Sequence, residues 1–198
     1  MNRQNSAPVH FHAYRSGTAF LCLVFLLCLG SCRSTPPGER LSQLYEQREN
    51  EVAEERGPVT KKVEARAQEA LAIVQSGVLT SSNEHLTAAL LLYDSRALEN
   101  VMLARDLALH AVELGDARGL AVAAEAEDIE LMIRGANQRY GTQYVYDSIT
   151  RLWMLYPVNP NTSDSERAAM GIAPLNEALR RVALLNLNAQ QAVPEPKR

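Results

Sequence analysis

The chain alternates apolar and polar stretches, most of them with the 3.6-residue period of a helix. An unbroken apolar run, Ala19 to Leu29, comes first. From Glu39 to Arg56 charge dominates, and Leu41, Leu44, Tyr45 and Val52 give only a thin helical stripe that Gly57-Pro58 breaks. The spacing of Val63, Ala67, Ala70, Leu71 and Val74 predicts a second helix over 59–75, closed by Gly77. Ser81 and Glu84 match a capping box that opens a strongly apolar helix, Leu86 to Tyr93. Two further helices follow. One carries Val101, Ala104, Leu107, Ala108, Ala111 and Leu114, and the other carries Leu120, Ala121, Ala124, Leu131 and Met132. Only Gly115-Asp116 and a few residues separate them, which predicts an antiparallel pair with small, Ala-rich faces.

The period changes after Gly135. Residues 140–146 and 149–155 are rich in Tyr, Val, Ile, Trp and Leu and predict a β-hairpin turning at Asp147-Ser148. A second capping box, Ser163 with Glu166, opens a short helix to Met170. Pro174 starts a last helix to Leu187, and residues 191–198 read as a disordered tail. The fold class expected is mostly α, made of antiparallel helical hairpins with a small β-hairpin near residues 140–155. The pair between Val101 and Met132 resembles one tetratricopeptide-type or Sel1-type hairpin. No second copy follows at a fixed period, so a repeat array is not expected.

Composition sharpens the start of the chain. All three Cys (Cys22, Cys28, Cys32) and all three Phe (Phe11, Phe20, Phe25) of the 198 residues lie within the first 32. The body therefore has no disulfide and no Cys-based zinc site. Only His85 and His110 lie beyond Cys32, which argues against a multi-histidine metal centre, and no cofactor is expected. The run 19–29 covers ~16 Å at 1.5 Å per residue, about half the hydrocarbon core of a bilayer. Arg3 and Arg15 precede it without any acid, the layout of a signal peptide.

Leu29-Gly30-Ser31-Cys32 resembles the lipobox of bacterial lipoproteins. That resemblance implies acylation of the Cys32 thiol, cleavage before it, and further acylation of the new amino group. Several acyl chains make attachment stable where one holds only marginally. It divides the chain into a signal peptide (1–31), a lipidated tether (32–38), a helical domain (39–190) and a tail (191–198). Arg33 stands where Asp would favour retention in the inner membrane, so the resemblance implies the outer membrane, facing the periplasm. The membrane, through the lipid on Cys32, is the first partner expected. The leader removes two basic charges from a chain of net charge −3. The acidic body that remains offers no basic patch for nucleic acid.

One constellation could carry chemistry. Asp128 falls on the apolar stripe of its helix, and a buried carboxylate must be paired or hydrogen-bonded. Its natural partners are Arg139, Tyr140, Thr142 or Gln143, since the chain turns back just after the helix. Gly141 would allow close passage of the backbone or positive φ. Asp128, Gln138, Tyr140 and Gln143 line either a polar pocket or a buried staple, and staples are the commoner use of such clusters. Gln138-Arg139-Tyr140-Gly141-Thr142-Gln143 also resembles the Gln-x-Tyr-Gly-Thr-Gln motif of a family of uncharacterised bacterial proteins, with ordered signposts from Leu90 to Asn186. That family lends no activity. Tyr93-Asp94 stands where its members often carry Gln-His. His85 and His110 read as partly exposed, with no second histidine near His110. No Gly-x-Ser-x-Gly elbow or Gly-rich phosphate loop is present. Trp153, Met154, Tyr144 and Tyr146 are candidates for an aromatic face on the hairpin. The reading that results is a lipid-anchored envelope protein that binds a protein partner. The alternative is an envelope hydrolase using the pocket around Asp128.

Overall fold

The structure, a computed structural model, describes residues 35–54 and 60–191. The signal peptide, the lipobox, the break at Gly57-Pro58 and the tail 192–198 lie outside the described residues. Seven helices and one two-stranded antiparallel sheet are described, in the order α1 (Pro37–Glu54), α2 (Lys61–Gln75), α3 (Ser82–Tyr93), α4 (Leu98–Glu113), α5 (Gly119–Ile133), β1 (Tyr144–Asp147), β2 (Leu152–Leu155), α6 (Asp164–Ala169) and α7 (Leu175–Gln191). The fold is mostly α with a small β-hairpin, as expected. Among the described residues no helix is long and apolar enough to cross a membrane.

Helix α3 is the centre of the helical body. Residues 85–89, Leu91 and Leu92 are all buried, because α1, α2, α4 and α5 all pack on it. Its start is fixed by the Ser81–Glu84 capping box, with both reciprocal bonds formed. The Glu84 carboxylate accepts from the Thr80 and Ser81 amides, which holds it below the usual carboxylate range. Leu41 and Leu44, the thin stripe of α1, are enough to seat that helix in the core. Pro37 and Gly38 belong to its first turn, so the tether ends two residues earlier than expected.

Helix α4 buries the predicted Val101, Ala104, Leu107, Ala108 and Ala111, but Leu114 is exposed. Small residues let α5 approach closely. At Gly119 an added Cβ would collide with the Ala108 carbonyl oxygen and crowd Val112. The buried stripe of α5 differs from the expected one. Gly119, Val122, Ala123, Ala126 and Ile129 are buried, while Leu120, Ala121, Leu131 and Met132 are only half-buried. Ala-rich segments carry too little contrast to fix the phase of a helix. The face with Ala124 and Asp128 is buried as well.

The β-hairpin is shorter than its β-prone residues suggested. Tyr144 pairs with Leu155 and Tyr146 with Trp153, so the turn spans four residues. Asp147 Oδ1 accepts from the Ile149 amide and Oδ2 from the Thr150 hydroxyl. This side-chain turn takes Ile149 out of the strand and leaves it exposed. Tyr146 and Trp153 rings sit 5.4 Å apart. Tyr144 shares their side of the sheet, whereas Met154 alternates to the other.

Helix α7 packs on β2 and reaches Gln191, four residues beyond the expected Leu187. Its Asn186 amide docks on the free edge of β2. Oδ1 accepts from the Trp153 N–H at 2.7 Å, and Nδ2 donates to the Trp153 carbonyl at 3.0 Å. A side chain thus covers an edge that would otherwise be unpaired. Helix α7 also leaves Leu179, Leu184 and Leu187 more than half exposed.

Candidate functional site

Helix α5 carries Asp128 near its last turn, and α5 ends at the positive-φ Gly135. The chain then turns back over that helix. The loop 138–143 is tied at both ends: Gln138 donates its N–H to the Pro157 carbonyl and accepts from the Asn159 amide, and the Gln143 carbonyl accepts from the Tyr156 amide. Asp128 is fully buried beneath it. Its Oδ1 accepts from the Arg139 amide at 2.6 Å and the Tyr140 amide at 2.9 Å. Its Oδ2 accepts from the Thr142 amide at 3.0 Å and the Thr142 hydroxyl at 2.8 Å. A carboxylate has room for about four such donors, and here four are present.

The partners are mostly backbone groups. The Arg139 guanidinium instead reaches Glu127 and Glu166, and its Cζ lies 5.1 Å from the Tyr140 ring centre. Gln143 does not reach Asp128. Its Nε2 donates to the Thr142 hydroxyl at 3.0 Å. Gln138, also fully buried, works on the other half of the loop. Its Oε1 accepts from the Gln143 amide at 2.7 Å, and its Nε2 donates to the carbonyls of Gln143 (3.1 Å) and Tyr156 (2.7 Å). The motif glutamine thus stands in for a missing strand. Tyr140 is buried, and burial followed by the nearby Glu127 charge pushes its hydroxyl above the usual phenol range.

Gly141 has φ +85° at the crest of this loop, and a Cβ there would press on Leu175. This conformation strains any residue with a side chain. The structure therefore brings Asp128, Gln138, Tyr140 and Gln143 into one place, all buried, as two hydrogen-bond systems sharing one loop.

Arg167 completes the cluster, and neither periodicity nor capping in the sequence singles it out. It is 2% exposed. Its Nε donates to the Tyr140 carbonyl at 3.0 Å, and its Nη1 donates to the Thr162 carbonyl and to Asp164. Helix α6 positions it through the Ser163–Glu166 capping box. The loop is thus held by an anion on its amide side and a cation on its carbonyl side.

Tyr93-Asp94 forms a separate ionic cluster. Arg48 of α1 donates from Nε to Asp94 at 2.6 Å and from Nη2 to the Tyr93 hydroxyl at 3.3 Å. Burial, reinforced by the Glu125 and Asp94 charges, raises the Tyr93 hydroxyl strongly. Burial also raises the Glu125 carboxyl, against the Tyr93 hydroxyl bonded to it and the charges of Arg48 and Arg181. In this chain the pair closes α1 onto α3.

The histidines depart from expectation in two ways. His85 is buried, at 8% exposed. Its ring also lies 4.6 Å from that of His110. The sequence separation hid this meeting, which the antiparallel return of α4 on α3 creates.

Compared with known families, curated proteins and solved structures, the chain finds no match.

Proposed function

We propose that this chain is a lipid-anchored protein of the cell envelope, held through Cys32 at the outer membrane and facing the periplasm, that acts by contact with another envelope protein. The anchor rests on the signal-peptide layout and the Leu29-Gly30-Ser31-Cys32 lipobox. The observation that carries contact over chemistry is the Asp128 carboxylate. All four of its donors hold the loop 138–143, which gives the cluster a structural task and leaves no acceptor position directed at a substrate. The surface suited to contact is the exposed apolar set Leu179, Leu184 and Leu187 on α7.

Two measurements test the two halves. Metabolic labelling with a palmitate analogue should mark the wild type and spare Cys32→Ser. Equal labelling of both, or none, refutes the anchor. Affinity capture from membranes should then recover a partner with the wild type that is lost with the Leu184→Glu, Leu187→Glu double variant. A capture profile unchanged by that variant refutes this face as the contact.

A further inference from the structure

The only two histidines after Cys32, 25 positions apart, meet ring to ring. His85 belongs to the first turn of α3 and His110 to the last turn of α4. In each ring Nδ1 faces an acceptor. That of His85 lies 2.8 Å from the Ser81 carbonyl, and that of His110 lies 2.8 Å from a Glu113 carboxylate oxygen. Neither acceptor can donate, so both Nδ1 atoms carry the proton in the neutral rings. The lone pair is then on Nε2 in both. Among the described residues neither Nε2 has a hydrogen-bond partner. A backbone carbonyl on one imidazole and a carboxylate on the other are the groups that orient metal-binding histidines.

We propose that His85 and His110 form a two-imidazole site for a divalent transition-metal ion such as Zn2+, bound through both Nε2 atoms. The spacing suits it. With Zn–N distances of about 2.0–2.1 Å, two rings on one ion hold their centres roughly 4.5 to 5.2 Å apart as the N–Zn–N angle opens from square to tetrahedral. The observed separation is 4.6 Å, with the rings inclined at 67°. His85 is buried, while the half-exposed His110 side chain leaves the pair open to an ion from solvent. Among the described residues no third His, Cys, Asp or Glu side chain joins the two rings in a metal-binding group, so water would complete the coordination. Imidazole ligands with open positions favour Cu2+, Ni2+ and Zn2+ over Mg2+ or Ca2+. The ion would tie the start of α3 to the end of α4. The site is independent of the anchor and partner proposed above.

The test is thermal unfolding of the full chain, followed by far-UV circular dichroism, with and without Zn2+. Only an ion bound by the folded state raises Tm. Zn2+ should raise Tm of the wild type and leave His110→Ala unmoved. Glu113→Gln keeps both ligands and should weaken the effect by about tenfold in Zn2+ concentration. The His85 and His110 Nε2 resonances should shift with Zn2+ in 15N spectra, which stands even if a variant folds poorly. An equal Tm rise in His110→Ala, no rise in the wild type, or unshifted Nε2 resonances would overturn the site.

Discussion

Replacing Asp128 by Asn probes the staple with a change of one atom. Asparagine keeps the shape but offers one acceptor oxygen instead of two. With its oxygen under the Arg139 and Tyr140 amides, its NH2 faces Thr142. The Thr142 hydroxyl can rotate to accept, but the Thr142 amide cannot, and it becomes a buried donor set against a donor. The reverse orientation strands two amides, Arg139 and Tyr140. The better orientation therefore loses a charge-assisted bond, leaves an unpaired N–H, and weakens the two bonds that remain. Hydrogen bonds to charged groups contribute about 1.5–3 kcal/mol, and an unsatisfied buried group costs about 1–3 kcal/mol, so the overlapping losses come to roughly 3–4 kcal/mol. In a domain of this size that lowers Tm by about 10 °C. Urea unfolding at neutral pH, followed by circular dichroism and by the fluorescence of Trp153, the only tryptophan, measures it. Hydrogen exchange at the Thr142 amide locates it. A variant within about 1 kcal/mol of the wild type, with Thr142 still protected, would refute the staple.

The other predictions follow from separate contacts. Gly119→Ala should destabilise by about 1–3 kcal/mol despite its better helix propensity, because the new methyl strikes the Ala108 carbonyl; a gain in Tm would contradict the close approach of α4 and α5. Asn186→Ala should free the Trp153 amide to exchange faster and shift its fluorescence, at a cost of about 1–2 kcal/mol confined to the hairpin and α7; unchanged exchange at Trp153 would show that Asn186 does not hold the edge. Glu125 has a raised carboxyl in the folded state, so it favours folding fully below its unfolded pKa and loses that contribution as pH rises through the folded value. Glu125→Gln should therefore be more stable relative to the wild type at pH 7 than at pH 4, and a difference that does not change with pH would argue against its burial as the cause.

Local signals foretold much of the fold. Both capping boxes formed, because a Ser cap and a Glu three residues on satisfy amides within their own helix turn. The stripe of α4 was legible because Val101 and Leu107 contrast with Arg105, Asp106 and His110. The phase of α5 was not, because alanines surround nearly every position. The strand that seemed to begin at Tyr140 is instead a loop. Its β-prone residues are recruited by a carboxylate on α5 and an arginine on α6, and no propensity of residues 140–143 encodes partners that lie 11 to 27 positions away.

The same division runs through the site. That Asp128 must be bonded, and that the loop after α5 holds its partners, follow from an acid on an apolar stripe. Backbone amides as the donors, Gln138 and Gln143 tied to each other, and Arg167 as the counterpart follow from how the loop lies across the helix. The two histidines show the limit most plainly. Residue identity limits the body to two imidazoles, and periodicity puts each on its own helix. Their contact depends on the length of the connection between α3 and α4 and on the register in which the two helices pack, which are properties of the assembled helices and of neither segment alone.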